Sequence, residues 1–110
     1  MNKADTFFST LGLAARSGQV VTGEPKTREL AASGGAAFVL LDAAASAGTE
    51  KTVRDKCNFY GVPLYRTSAG RLGMSIGKPA CICAGVRRGG LGDQLLKKVV
   101  ENEFEDVHKI

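Results

Sequence analysis

The 110-residue chain carries 15 Lys+Arg against 11 Asp+Glu, with 44% apolar and 24% charged residues. That balance fits one globular domain and excludes a disordered chain, and no apolar run approaches the ~20 residues of a membrane helix. Asp5 and Thr6 interrupt the N-terminus before any apolar stretch, so no secretory leader is visible and the cytoplasm is the default expectation.

Charge is unevenly divided. Residues 1–98 hold 14 Lys+Arg and 7 Asp+Glu, a net of +7, whereas residues 99–110 set Lys109 against Glu101, Glu103, Glu105 and Asp106, a net of −3. The basic body points to a polyanionic partner. The acidic end reads as a frayed, solvated tail. The expected division is therefore a domain over 1–98 and, over 99–110, the acidic end of the last helix with the tail. Cys57, Cys81 and Cys83 are odd in number, which argues against a disulfide framework. They read as small core hydrophobes, with alternation placing Cys81 and Cys83 on one strand face. His108, the one histidine, stands alone in the tail and receives no role.

In chain order, residues 4–16 read as a helix. Asp5 or Thr6 can cap it, and Phe7, Phe8, Leu11, Ala14 and Ala15 recur on one face. Gly18 suits the position past its end. Gln19 to Thr22 is a short strand, and Glu24 to Ser33 a second helix with Leu30 and Ala31 inward. Ala36 to Asp42 is a continuous apolar run, as expected of a strand covered on both faces. A third helix spans Thr49 to Tyr60, with Thr49 as cap and Val53, Cys57 and Tyr60 on one side. Val62 to Arg66 is a strand entered through Pro63. Ser68 caps a short helix to Ile76, and Gly77-Lys78-Pro79 turns into a buried strand over Ala80 to Val86. Arg87 to Gly90 is a loop, and the last helix runs from Leu91 to about Glu103. Alternating helices and strands indicate an α/β fold with helices on both faces of a small sheet.

Catalytic constellations are missing from this pattern. No Ser/His/Asp or Cys/His set can be assembled, the carboxylates are scattered, and the glycines make neither a Walker loop nor a dinucleotide fingerprint. No metal or cofactor is implied. Binding is better supported. At Thr22-Gly23-Glu24-Pro25-Lys26 a glycine turn opens a helix whose unpaired N–H groups and positive dipole end suit phosphate. Gly23 permits close approach, Pro25 is tolerated in a first turn, and Lys26 and Arg28 add positive charge. A second glycine loop, Gly73 to Ala80, offers Lys78 beside the apolar Ile76, Pro79 and Ala80. A third spans Arg87 to Gly92. Cations with small apolar groups suit a folded RNA with splayed bases.

Five stretches now carry a family resemblance: Leu11-Gly12-Leu13-Ala14-Ala15-Arg16-Ser17-Gly18, Val20-Val21-Thr22-Gly23-Glu24, Ala37-Phe38-Val39-Leu40-Leu41-Asp42-Ala43, Lys56-Cys57 through Val62-Pro63, and Leu72-Gly73-x-x-Ile76-Gly77. In this order, and over roughly residues 5–97, the chain resembles the YlxQ-like bacterial branch of the kink-turn RNA-binding ribosomal proteins, the superfamily of the archaeal large-subunit "seven-Ae" protein. The resemblance implies a three-layer α-β-α sandwich around a four-stranded mixed sheet. It also implies a non-catalytic, ribosome-associated protein that binds structured RNA such as ribosomal RNA, typically at a kink-turn. The family's helix start that enters the bend corresponds to Gly23, Glu24, Pro25 and Lys26, and its second contact loop to Gly77 to Ala80. The expected RNA-binding residues are thus Arg16, Thr22, Gly23, Glu24, Pro25, Lys26, Arg28, Gly77, Lys78, Pro79 and Ala80. The best-characterised members carry Gly-x-Asn-Glu followed three residues later by Lys. Here those positions after Gly23 are Pro25, Lys26 and Glu29. The substituted helix start also fits a second expectation, a protein-interaction module of the same fold without kink-turn recognition.

Overall fold

In the computed structural model, which describes residues 2–102 and 104–110, the apolar run Ala36–Asp42 is the middle strand of the sheet. Each of its seven residues is buried, as a strand covered on both faces requires. The elements are α1 (Lys3–Arg16), β1 (Val20–Thr22), α2 (Glu24–Ala32), β2 (Ala36–Asp42), α3 (Ala47–Tyr60), β3 (Leu64–Thr67), α4 (Arg71–Ile76), β4 (Cys83–Arg87), α5 (Gly90–Glu101) and β5 (Val107–Lys109). The expected end of the last helix at Glu103 lies outside the described residues. The sheet order is β1-β4-β2-β3-β5. Among the described residues β2 and β3 pair in parallel, and the other three pairings are antiparallel.

Alternation along β2 builds two cores. Phe38 and Leu40 join Phe7, Leu11, Leu72, Leu95 and Val99 from α1, α4 and α5. Val39 and Leu41 join Leu30, Ala31, Val53 and Cys57 from α2 and α3. Helices therefore cover both faces of the sheet.

Among the described residues the sheet has five strands, not the expected four. The fifth comes from the acidic end, which is built into the fold and is not a frayed tail. Tyr65 pairs with Lys109 and Thr67 with Val107, while Phe104 and Val107 are buried with the Phe104 ring 5.6 Å from Phe7. The end docks through these apolar residues and through Asp106, whose carboxylate accepts from the Ser68 hydroxyl at 2.9 Å and whose carbonyl accepts the Ser68 N–H at 3.0 Å. His108 is accordingly a strand residue, with Nε2 2.8 Å from the Glu105 carbonyl.

Local expectations shift by a few residues, each for a reason. Asn2 caps α1 in place of Asp5 or Thr6, its side chain accepting the Asp5 N–H at 2.8 Å. Ser46, not Thr49, caps α3, accepting the Thr49 N–H at 3.1 Å. α4 begins at Arg71, behind Gly70 in the left-handed region. β4 begins only at Cys83, because the Cys81 N–H closes a turn onto the Lys78 carbonyl at 2.9 Å. Cys81 and Cys83 consequently join opposite cores and do not share a face. No helix among the described residues is long and apolar enough to cross a membrane.

Candidate nucleic-acid interface

The turn at Gly23 is fixed by backbone chemistry. Gly23 has φ +92° and ψ 152°, a conformation essentially confined to glycine. Its N–H donates to the Cys83 carbonyl at 2.8 Å, which ties the turn to β4, and its carbonyl accepts the Thr27 N–H at 3.0 Å, which starts α2. Glycine has no side chain to cap a helix and Pro25 has no N–H. The N–H groups of Glu24 and Lys26 are thus left without a side-chain cap, at the positive end of the helix dipole.

The second loop is seated beside this turn. Lys78 Nζ donates to Thr22 Oγ1 at 3.4 Å, which joins the 77–80 loop to the end of β1. Gly77 ends α4 in the left-handed region at φ +73°. Lys78, Pro79 and Ala80 are exposed. A glycine inside α4 allows this seat: a Cβ on Gly73 would lie 2.5 Å from the Lys78 carbonyl oxygen and 2.8 Å from that of Pro79.

The other expected residues spread around this junction. Lys26 is exposed and lines a hollow shared with Val21, Glu29, Leu30, Ser33 and Arg87. Arg28 is half-buried, and its Nε is buried without a hydrogen-bond partner. Arg16 is exposed but lies along the seam of α1 and α4: a Cβ on Gly12 would sit 3.5 Å from its guanidinium and 2.6 Å from the Ser75 carbonyl oxygen. The structure thus brings together Thr22, Gly23, Glu24, Pro25 and the Gly77 to Ala80 loop. Lys26 and Arg28 follow on α2, and Arg16 lies on α1.

Asp42 escaped the sequence reading. It is 2% exposed, and its carboxylate accepts from Ala44 N at 2.9 Å, Gly70 N at 3.1 Å, Thr67 Oγ1 at 3.3 Å and Leu72 N at 3.4 Å. A buried carboxylate with four donors is a satisfied one. It fastens the start of α4, whose far end carries the 77–80 loop. Its place at the end of the AAFVLLD run was visible. Its partners, distant in sequence, were not.

Two thiols are kept neutral. Burial pushes Cys57 up to about 11. Burial likewise pushes Cys83 up to about 11, against a weaker downward pull from the Thr27 hydroxyl. Neither is a ready nucleophile or metal ligand at neutral pH. Among the described residues, no group of three or more His, Cys, Asp or Glu could hold a metal ion.

The fold and the paired loops define a class. Residues 5–94 match the Ribosomal protein L7Ae/L30e/S12e/Gadd45 family, and the chain belongs to that family, in its YlxQ-like branch. Membership makes it a non-enzymatic protein. The chain is 41% identical over 91 residues to the RNA-binding protein YlxQ of Bacillus subtilis (strain 168), spanning 82% of this chain and 91% of that protein. It is 36% identical over 73 residues to the RNA-binding protein YlxQ of Enterococcus faecium, spanning 66% and 71%. A solved protein of unknown function from Bacillus halodurans C superposes with a TM-score of 0.77 at 33% identity, over 86% of this chain and 96% of that one. The Giardia lamblia 15.5kD RNA binding protein superposes with a TM-score of 0.74 over 90% and 85%; at 16% identity the likeness is one of fold alone.

Proposed function

We propose that the chain binds RNA, recognises a kink-turn or a related structured RNA, and works with the ribosome in the cytoplasm. The observation that carries this reading is the junction at Lys78 and Thr22. It sets the uncapped start of α2 beside an exposed loop of small apolar residues. Phosphate suits the first element, and unstacked bases suit the second. Two relatives are named RNA-binding proteins, which supports the same partner. In this reading Lys26, Arg28, Arg16 and Lys78 hold phosphates. Thr22, Gly23, Glu24 and Pro25 form the edge that meets the bend, and Gly77, Pro79 and Ala80 meet extruded bases. Lys26, inside the first turn, supplies the charge that Glu29 does not.

The test compares a kink-turn RNA with a straight duplex of the same composition at several salt concentrations. A strong preference for the kinked RNA is expected, with affinity falling steeply as salt rises. Lys26→Glu should weaken binding and make the salt slope shallower by about one. Equal binding to both RNAs would remove the kink-turn part of the reading. Binding to neither would favour the protein-interaction module. The observation on that side is the exposed Phe59–Tyr60 pair at the end of α3, with ring centroids 4.9 Å apart.

A further inference from the structure

We infer that the RNA contact continues past the first turn of α2, along the β1 edge of the sheet, to Arg87 and Arg88, which hold the backbone of a duplex arm. The inference rests on the RNA-binding reading above and extends it to a second group of cations.

The ion pairs carry the first part of the argument. Glu50 holds Arg54 and Arg66, Lys51 holds Asp55, and Arg71 reaches Asp5 and Asp106. All belong to α3, β3, the approach to β5, or the starts of α1 and α4. None of Lys26, Arg28, Lys78, Arg87 and Arg88 is paired with a carboxylate among the described residues; Lys3, Arg16, Lys56, Lys97, Lys98 and Lys109 have no such pair either, but they are spread over α1, α3, α5 and β5. The first five lie on α2, the 77–80 loop and the end of β4, around the opposite edge of the sheet. β1 is the terminal strand there and, among the described residues, pairs only with β4, so no further described strand lies over that edge.

Continuity carries the second part. Lys26 and Arg87 line one hollow of about 360 Å³ floored by Val21 and Leu30, so the two cations flank a single trough. Arg88 is fixed at its far end. Its backbone N–H donates to the Gly35 carbonyl at 2.9 Å, and its Nε donates to the Gly34 carbonyl at 2.8 Å. A guanidinium anchored through Nε keeps its two terminal nitrogens for a ligand, and phosphate suits their fork. α2 has nine residues. At about 1.5 Å per residue, its length sets the Gly23 turn and the Arg88 anchor about 13 Å apart, more than one phosphate spans. Glu29 also lines the trough. It repels phosphate there, so the track predicts opposite effects from removing a cation and removing this anion.

The experiment uses the full chain and two RNAs, a kink-turn with extended arms and the same motif with its arms cut back. The double variant Arg87→Gln/Arg88→Gln should lose about tenfold or more in affinity for the long RNA at about 0.1 M salt, with a salt slope shallower by about two. Its affinity for the short RNA should stay that of the unaltered chain. Glu29→Gln should bind the long RNA more tightly. Lys97→Gln/Lys98→Gln, which removes two exposed cations from α5 on the other sheet face, should change neither. The track is overturned if the Arg87/Arg88 variant binds the long RNA normally while Lys26→Glu weakens it, a result that leaves the first site standing. Equal loss on both RNAs, or equal loss in the α5 variant, also overturns it. If the unaltered chain binds no RNA, this inference and the reading beneath it fall together.

Discussion

Replacing Asp42 is the perturbation that best separates holding the site from forming the core. In Asp42→Ala the buried Leu72 N–H and Thr67 hydroxyl lose their acceptor. Each buried donor left unpaired costs about 1–3 kcal/mol. Both bonds are long, at 3.4 and 3.3 Å, which favours the low end. The Ala44 and Gly70 donors lie nearer the surface, where water can replace the carboxylate. The expected loss is about 2–4 kcal/mol. At about 4 °C per kcal/mol for a domain of this size, Tm should fall by roughly 8–16 °C. Asp42→Asn keeps one oxygen for Ala44 and Gly70 but turns an NH₂ toward the Leu72 N–H. The Thr67 hydroxyl can rotate to accept, so the cost should be about half. Urea and thermal unfolding measure both. A loss below about 0.5 kcal/mol in Asp42→Ala would refute the assignment, since that is the range of an ordinary surface change. RNA titration adds a second readout. Asp42→Asn frees the start of α4 and should weaken RNA binding, whereas Val53→Ala, which opens the other core, should cost stability without affinity.

Two further outcomes follow from packing and titration. Phe104→Ala should cost about 3–5 kcal/mol, because it empties a buried ring site against Phe7; an unchanged melting temperature would mean that the acidic end contributes nothing to the fold. The buried thiols make stability fall at high pH. Their folded pKa values near 11 lie above the ordinary 9.0, so the folded state holds its protons longer than the unfolded state. That stabilisation is complete below about pH 9 and is lost as pH rises towards 11. Urea unfolding at about pH 8 and about pH 10.5 should show a drop that Cys57→Ala/Cys83→Ala reduces; an equal drop in the double variant would exclude the thiols as its source.

Much of this molecule is legible from local pattern. The run Ala36–Asp42 declared a strand covered twice, and it is the centre of the sheet. Gly23 followed by Pro25 declared an open helix start, and the backbone adopts it. Legibility failed where sparse signals had to be read against strong ones. Phe104 and Val107 are isolated apolar residues among Glu101, Glu103, Glu105 and Asp106, so charge hid a strand that pairs with β3. Cys81 sits one alternation before Cys83, but a turn from Lys78 intervenes and sends the two to opposite cores. For the candidate site, composition pointed to the two loops but not to what seats one beside the other. Gly73 does that by leaving room for the Lys78 and Pro79 carbonyls, and Asp42 by accepting from backbone N–H groups about 30 residues away, at Gly70 and Leu72. Lys26 and Arg28 looked like one patch in sequence. They are two residues apart on a helix, and such neighbours do not share a face.

The placement of β1 has a kinetic consequence. Its partner is β4, with Val20 opposite Val86 and Thr22 opposite Ala84, and the Gly23 turn hangs from the Cys83 carbonyl. A ribosome emits the turn early and its support late. Until residues 83–86 leave the exit tunnel, a nascent chain has the Gly23 sequence but nothing to lay it on. Pairing of such distant segments is a slow step, because a long loop must close before the contact repays it. The geometry of the proposed RNA contact is therefore a late product of synthesis.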